Sequence, residues 1–354
     1  MISVIIPVYK DSLVLEENLR KLLKEPVDKE IIIVADEPTP HLRKILKKKK
    51  IKTIFNSKRV GKARALNMGI KMAKGDILVF LDADVRIQTP FLSIIQEEMR
   101  DVEIIDMKKL GEEDGFLGKM LKYELLGMNI YGYLFSKMLG RCLGIMGSGV
   151  ALRKSVLRKV GKFRRYVAED LDFSLRAFVK KIRGKFCSDV CLRLIPKKDF
   201  RSWLKQRRRW GYGCGEWARD HWDFVKRYPH LIMLASFLLF PFLVPFFLLQ
   251  IFSPTITKLV HMSLLMFLLH FPTLAPVFPV ALGISFIKSL ISAIISFLSF
   301  SLLYWIFGKK FGTNFNLAEF FVYFFLYQPV YFLVFLNGMY NGLRKKPMKM
   351  DWVV

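Results

Sequence analysis

Residues 229–343 contain only five Lys, Arg, Asp or Glu side chains: Lys258, Lys288, Lys309, Lys310 and Glu319. A stretch so poor in charge cannot form the surface of a soluble domain, and its apolar runs are long. Residues 231–252 include 22 in a row without a charge, and at 1.5 Å rise this covers a hydrocarbon core of about 30 Å. Further apolar runs at 259–282, 284–307 and 318–340 predict an all-α transmembrane region of about four helices, the second kinked or split by Pro272, Pro276 and Pro279. Arg207, Arg208, Arg209, Lys226 and Arg227 precede this block, and Arg344, Lys345, Lys346 and Lys349 follow it. Cationic flanks face the cytoplasm, so both ends are placed there and the number of spans is even. Lys309 and Lys310 then fall on the outer side, against that rule.

Residues 1–228 are the opposite in character, with 49 Lys and Arg against 28 Asp and Glu, a net charge of +21. The length suits one cytosolic α/β domain, with 200–228 as interfacial helices, 229–343 as the membrane block and 344–354 as a basic tail. The opening MISVIIPVYK, followed by Asp11, Glu16 and Glu17, leaves no room for a secretory apolar segment, and the catalytic domain of a multi-pass cell-membrane protein is expected in the cytoplasm. Cys142, Cys187, Cys191 and Cys214 lack CxxC spacing and read as reduced thiols.

Within the basic domain, β-branched runs alternate with helical spacing. SVIIPVY at 3–9, EIIIV at 30–34 and ILVFL at 77–81 are short buried strands, the last two ending at Asp36 and at Asp82-Ala83-Asp84. Such alternation predicts right-handed βαβ units and a parallel sheet, with ligands beyond the carboxyl ends of the strands. Acidic groups gathered there are costly unless a cation or hydrogen-bond donors share the space. Asp82 and Asp84 can hold Mg2+ or Mn2+ with positions left for diphosphate oxygens, although two aspartates on a solvated turn read the same way. In KRVGKARALNMGIKMAKGD at 58–76, Lys62 and Arg64 offer cations to phosphate ahead of a helical apolar face. The apolar, glycine-punctuated stretch 115–145 fits a surface-lying segment or a buried helix pair equally well, and Trp210, Trp217 and Trp222 fit an aromatic belt at the headgroup level.

Taken in order, PVY at 7–9, Asp36, GKARALNMGIKMAKGD at 61–76, LDAD at 81–84, GSGVALRKSVLRKVGKF at 147–163, AEDLDFSLR at 168–176 and QRRRW at 206–210 resemble the family 2 glycosyltransferases. The resemblance runs from residue 2 to about 215. It implies a GT-A (Rossmann-like) nucleotide-diphospho-sugar transferase domain, and QRRRW resembles the Q-x-x-R-W signature of membrane-bound members such as cellulose, chitin and hyaluronan synthases and ceramide glucosyltransferase. It further implies that Pro7, Tyr9 and Asp36 meet the nucleoside, that Lys62, Asp82 and Arg209 meet the donor diphosphate, and that Asp84 with Asp82 holds the metal. Asp170, beside Glu169, would be the general base, and Trp210, Gln206 and Ser148 would meet the acceptor. The family usually ends its second strand with two acidic residues, and here the first of that pair is read as Ala35.

The residues fit an inverting transfer, which needs a base opposite the leaving group, a cation on the diphosphate and a surface for the acceptor. Glu169, Asp170 and Asp172 also fit an acidic helix N-terminus, and QRRRW a basic juxtamembrane anchor. The leading expectation is a transfer from a nucleotide-sugar, UDP-linked first, to a lipid-linked acceptor at the bilayer. The alternative is a processive polysaccharide synthase acting on a glycan. A basic membrane protein that binds anionic partners without catalysis is a third class. Nucleic acid is not expected as a partner, because the strand-end carboxylates would oppose it.

Overall fold

The computed structural model describes residues 1–47, 51–245 and 277–345. They fall into two compact units, Met1–Arg227 together with the chain from Leu333, and Tyr228–Phe332.

In the first unit the β-branched runs become β1 (Ile2–Tyr9), β2 (Lys29–Asp36), β3 (Lys52–Asn56) and β4 (Ile77–Leu81), paired in parallel in the order β3-β2-β1-β4. Helices α1 (Leu15–Lys24), α2 (Pro40–Lys47) and α3 (Lys62–Met72) connect them. Successive strand residues point to opposite faces. Val4, Ile6, Ile33 and Val79 therefore pack with Leu19, Leu22 and Leu42 on one side of the sheet. Ile5, Ile32, Leu78 and Phe80 pack with Leu66 and Ile70 on the other.

The second half departs from the expected parallel sheet. The chain continues through β5 (Val85–Ile87), α4 (Leu92–Glu98), β6 (Ile104–Gly111), α5 (Gly115–Leu139), β7 (Gly149–Arg153), α6 (Val156–Val160), α7 (Glu169–Val179) and β8 (Gly184–Leu194). The full order is β3-β2-β1-β4-β7-β6-β8-β5, with β7 antiparallel to both neighbours and β5 antiparallel to β8. A parallel neighbour needs a crossover of a dozen or more residues. Only Asp82, Ala83 and Asp84 separate β4 from β5, so the chain leaves the parallel half there. The place beside β4 is filled later by β7 running the other way, with Leu81 opposite Gly149.

The stretch 115–145 resolves as one long helix. Tyr123, Leu125, Leu126 and Ile130 of α5 are buried, and the helix packs on β6 and β8. Beyond β8 come α8 (Phe200–Asp220) and α9 (Trp222–Arg227). The aromatic belt is corrected here: Trp217 is only 5% exposed and lies against the Phe224 and His221 rings, while Trp222 is 51% exposed. Trp203, Trp210 and Trp217 recur every seven residues, which places them on one side of a 3.6-residue helix, and that side faces the domain. The chain from Leu333 lies on α8, backbone against backbone. A Cβ at Gly211 would strike the Phe335 carbonyl, and one at Gly338 the Arg208 carbonyl.

The second unit contains α10 (Pro229–Leu239), α11 (Val277–Phe311), α12 (Leu317–Val322) and a π-turn at Tyr323–Tyr327; α13 (Gln328–Leu343) follows and enters the first unit at Leu333. Among the described residues two helical stretches are long and apolar enough to cross a membrane, Phe286–Phe311 and Leu317–Leu343, where about four were expected. They correspond to the predicted spans 284–307 and 318–340, and Leu298, Leu302, Leu326 and Leu333 on them are exposed. The predicted span 231–252 breaks at Phe240, because the residue before a proline is pushed out of the α region and Pro241 follows. Residues 246–252 of that span, nearly all of 259–282, and the tail beyond Lys345 lie outside the described residues.

A Cβ at Gly69 would strike Ile5 in the core of β1. Gly69→Val should therefore overpack the α3–β1 contact and lower stability by about 1–3 kcal/mol. The check is the thermal midpoint of the detergent-solubilised chain; an unchanged midpoint would show that α3 can move off the sheet without cost.

Candidate active site

The carboxyl ends of the parallel strands bring Tyr9, Asp36 and Asn56 into register, Tyr9 opposite Asp36 and Asp36 opposite Asn56. Asp36 is buried, and its lone pairs are taken by the chain itself. Asn56 Nδ2 donates to Oδ1 at 2.8 Å, and the Val60 and Gly61 amides donate to Oδ2 at 2.9 and 3.1 Å. Asp36 thus holds the loop that leads into α3. Asp36 is followed by a second acid, Glu37. Glu37 sits in the left-handed region at φ 49° and accepts from the Tyr9 hydroxyl at 3.3 Å and the Arg59 amide at 3.2 Å. The Arg59 guanidinium lies 4.3 Å from the Tyr9 ring centre. Sequence reading missed Glu37 and Arg59; the adjacent acidic residues were the available signal. Pro7 is half-buried inside β1, opposite Val34.

Gly61, at φ 88°, turns the chain so that Lys62 begins α3 beneath the end of β4. Only glycine takes that backbone without strain. The Lys62 ammonium lies 2.7 and 3.0 Å from the two Asp82 oxygens, 3.2 Å from Glu169 Oε1 and 3.3 Å from the Gly147 carbonyl. Antiparallel β7 makes this possible, because it starts where β4 ends and the Asp82 amide donates to the Ser148 carbonyl at 3.2 Å. Asp170 is held from the same loop. Its Oδ2 accepts from the Gly147 amide at 2.6 Å and its Oδ1 from the Leu171 amide at 2.8 Å. Asn67 of α3 links two of the motif segments, donating to the Phe163 carbonyl at 2.8 Å and accepting from its amide at 3.2 Å.

Glu169 and Asp170 open α7, as an acidic helix N-terminus would. Asp172 is fully buried and serves packing, accepting from Arg176 at 2.7 and 2.9 Å. An apolar crevice formed by Leu66, Phe80, Ile145, Val150, Phe163 and Phe173 lies against Glu169 and Asp170. Burial pushes the Glu169 carboxyl up to about 7, with Lys62 opposing and Asp170 adding to the rise. Burial likewise raises Asp82, although Lys62 opposes it. Lys62 is raised: burial disfavours its charge, but Asp82, Glu169 and Asp170 outweigh that.

Helix α8 crosses the start of α7, where a Cβ at Gly213 would meet Ala168 and the Val167 amide donates to Glu216 at 2.9 Å. Burial lowers Arg209, whose charge is supported by Glu169, Asp82, Asp84 and Asp170. The expected donor residues Lys62, Asp82 and Arg209 thus share one electrostatic cluster with Asp84, Glu169 and Asp170. Lys197, in the loop before α8, belongs to it as well: burial lowers Lys197, Asp84 supports it, and Arg209 and Arg207 oppose it. A lysine in a loop of no special pattern offered no sequence signal. Arg207, taken as part of a cationic flank, is instead buried, with its guanidinium 4.5 Å from the Trp210 ring centre and donating to Gln206 Oε1. The Ser148 hydroxyl is buried without a hydrogen-bond partner among the described residues.

The site's donor set is made of hard oxygens. Two Asp82 oxygens, a Glu169 oxygen and the Gly147 carbonyl already surround one cation, the Lys62 ammonium. Such a set, with Asp84 beside it, fits Mg2+ or Mn2+. The three-residue group of potential metal ligands found among the described residues, Glu98, Cys187 and Asp189, lies on α4 and β8 and includes none of these residues.

The chain matches the family described as glycosyl transferase family 2 over residues 3–161. Those residues form a family 2 glycosyl transferase domain. A poly-β-1,6-N-acetyl-D-glucosamine synthase of Staphylococcus epidermidis is 28% identical over 239 residues, 64% of this chain and 57% of the relative. The Staphylococcus aureus (strain COL) protein of that name is 26% identical over 247 residues, 66% of this chain and 60% of the relative. The chain therefore spans about three fifths of the length of these relatives. Among solved structures, a mannosyltransferase from Pyrobaculum calidifontis in complex with GDP-Man and Mn2+ superposes with a TM-score of 0.51 at 17% identity, covering 83% of this chain and 86% of that one. It shares the fold of the glycosyl transferase domain.

A carboxyl whose folded pKa is raised favours the protonated form. Its contribution to stability is complete below about 4.5 and is lost as pH rises through about 7. The metal-free chain should therefore lose thermal stability between pH 5 and 8, and Glu169→Gln should flatten that slope. Parallel melting curves for parent and variant would refute the assignment.

Proposed function

We propose that the chain is a membrane-embedded inverting glycosyltransferase. In this reading it moves a sugar from a nucleotide-diphospho-sugar, UDP-linked first, to an acceptor hydroxyl at the cytoplasmic face. The observation that carries the reading is the convergence of Lys62, Asp82, Glu169, Asp170 and the Gly147 carbonyl at the end of β4, inside a family 2 domain. A divalent cation bound by Asp84 and Asp82 would neutralise charge on the diphosphate. Tyr9, Glu37 and Arg59 would hold the nucleoside, and Lys62 and Arg209 the diphosphate. Asp170 is fixed by the Gly147 and Leu171 amides and keeps lone pairs for a proton. It takes the acceptor hydroxyl proton as that oxygen bonds to the anomeric carbon, while the anomeric C–O bond breaks and its electron pair leaves with the nucleoside diphosphate. Trp210, Gln206 and Ser148 would line the acceptor side.

Two acceptor classes remain in play, each with an observation behind it. The long apolar stretches Phe286–Phe311 and Leu317–Leu343 favour a lipid-linked acceptor. The staphylococcal relatives, named as synthases of a polysaccharide, favour chain elongation on a glycan. Membranes holding the full chain, incubated with Mn2+ and a panel of labelled UDP-sugars and GDP-mannose, separate them. An organic-extractable product supports the lipid acceptor, a high-molecular-mass product supports elongation, and no incorporation from any donor defeats both.

General base catalysis contributes about 10²–10⁴-fold, so Asp170→Asn should lose turnover by that factor. Its affinity for UDP with Mn2+, measured by calorimetry, should stay near that of the parent. A variant turning over at the parental rate would remove Asp170 from the base role.

A further inference from the structure

We propose that Arg207 and Glu124 form a positioning pair that sets Gln206 and Trp210 for the acceptor; the proposal rests on the transferase reading above. The Arg207 side chain is 3% exposed and that of Glu124 is 1% exposed. Arg207 Nε donates to Glu124 Oε1 at 3.3 Å and Nη2 to Glu124 Oε2, a two-pronged contact between α8 and α5. The remaining prong, Nη1, donates to Gln206 Oε1. The guanidinium centre also lies 4.5 Å from the Trp210 ring and 5.5 Å from the Trp203 ring. One guanidinium therefore joins α5, both flanking members of QRRRW and the aromatic side of α8.

Filling this space is a task apolar side chains do as well or better, since a buried ion pair returns little net stability over well-packed hydrophobic residues of the same volume. What the pair adds is direction. A planar fork on a carboxylate has one geometry, which lysine cannot reproduce. Locking the fork to Glu124 fixes the rotation of α8 about its axis. Successive residues are about 100° apart around that axis, so this also fixes where Gln206 and Trp210 point. Arg209, two residues on from Arg207 along the same helix, is carried by the same rotation. Arg207 itself is a positioning residue: it acts through its neighbours.

The test uses the full chain in membranes with labelled UDP-N-acetylglucosamine, reading both transfer into membrane-bound product and hydrolysis of the donor by water. Removing one partner strands a buried charge, so the main variant is the double Arg207→Met, Glu124→Leu, which removes both charges and keeps the packing. It should bind UDP with Mn2+ like the parent yet transfer about 10²-fold less sugar, because small displacements at a reacting centre cost that much. Donor hydrolysis should fall far less than transfer. Arg207→Lys keeps the charge, and should show the same skew toward hydrolysis. If the double variant does not fold, the lysine variant decides alone. A folded variant with parental ratios of transfer to hydrolysis overturns the proposal and leaves only a structural strut. If the parent transfers sugar from no nucleotide donor, the transferase reading fails first, and the pair's role with it.

Discussion

Three carboxylates occupy one corner of this domain because one ammonium sits among them. Asp82, Glu169 and Asp170 come from the end of β4 and the start of α7, and partly buried acids so close together repel unless a positive charge or amide dipoles intervene. Lys62 supplies the charge to Asp82 and Glu169, while the Gly147 and Leu171 amides satisfy Asp170. Each requirement on the surrounding chain follows. Gly61 must turn so that Lys62 opens α3, Asn67 must tie α3 to Phe163 ahead of α7, and β7 must start beside the end of β4. In the proposed transfer, an arriving diphosphate would compete for Lys62, and a divalent cation for the oxygens Lys62 now holds.

The parallel half of the sheet was legible in sequence because its information is local. Period-two β-branched runs, helical apolar spacing and acidic strand ends lie within windows of ten or fifteen residues. The antiparallel placement of β7 was not legible, because nothing within GVALR states which strand it joins or in which direction. The three-residue gap between β4 and β5 could have warned that the crossover pattern stops there. The motif order placed Lys62, Asp82, Glu169, Asp170 and the GSG loop in one sequence description, but not the fact that Lys62 bridges two of the acids. The left-handed backbone at Glu37, which lets its carboxylate meet Tyr9 and Arg59, is not displayed by sequence either.

Charge was also misassigned where composition stood in for position. Arginines at 207–209 ahead of an apolar block read as a cytoplasmic flank, yet Arg207 is among the most buried charged residues. The belt reading of Trp217 failed in the same way, for an amphipathic helix exposes no sign of which partner covers its apolar side. Here the partners are supplied by α5, α7 and the chain from Leu333, all remote in sequence.

The buried contacts of α8 explain why a basic, aromatic helix next to an apolar block is held to the catalytic domain rather than released to the bilayer. Membrane interfaces tolerate Trp, Arg and Lys in almost any order, because headgroups and water adapt to them. A buried guanidinium fork does not adapt, nor does a backbone-to-backbone contact such as Gly211 on Phe335 or Gly338 on Arg208. Both make the position of α8 specific, one through directional hydrogen bonds and the other through the closeness that only glycine permits. The chain from Leu333 is thereby held in one register against the helix that carries Arg209 and Trp210.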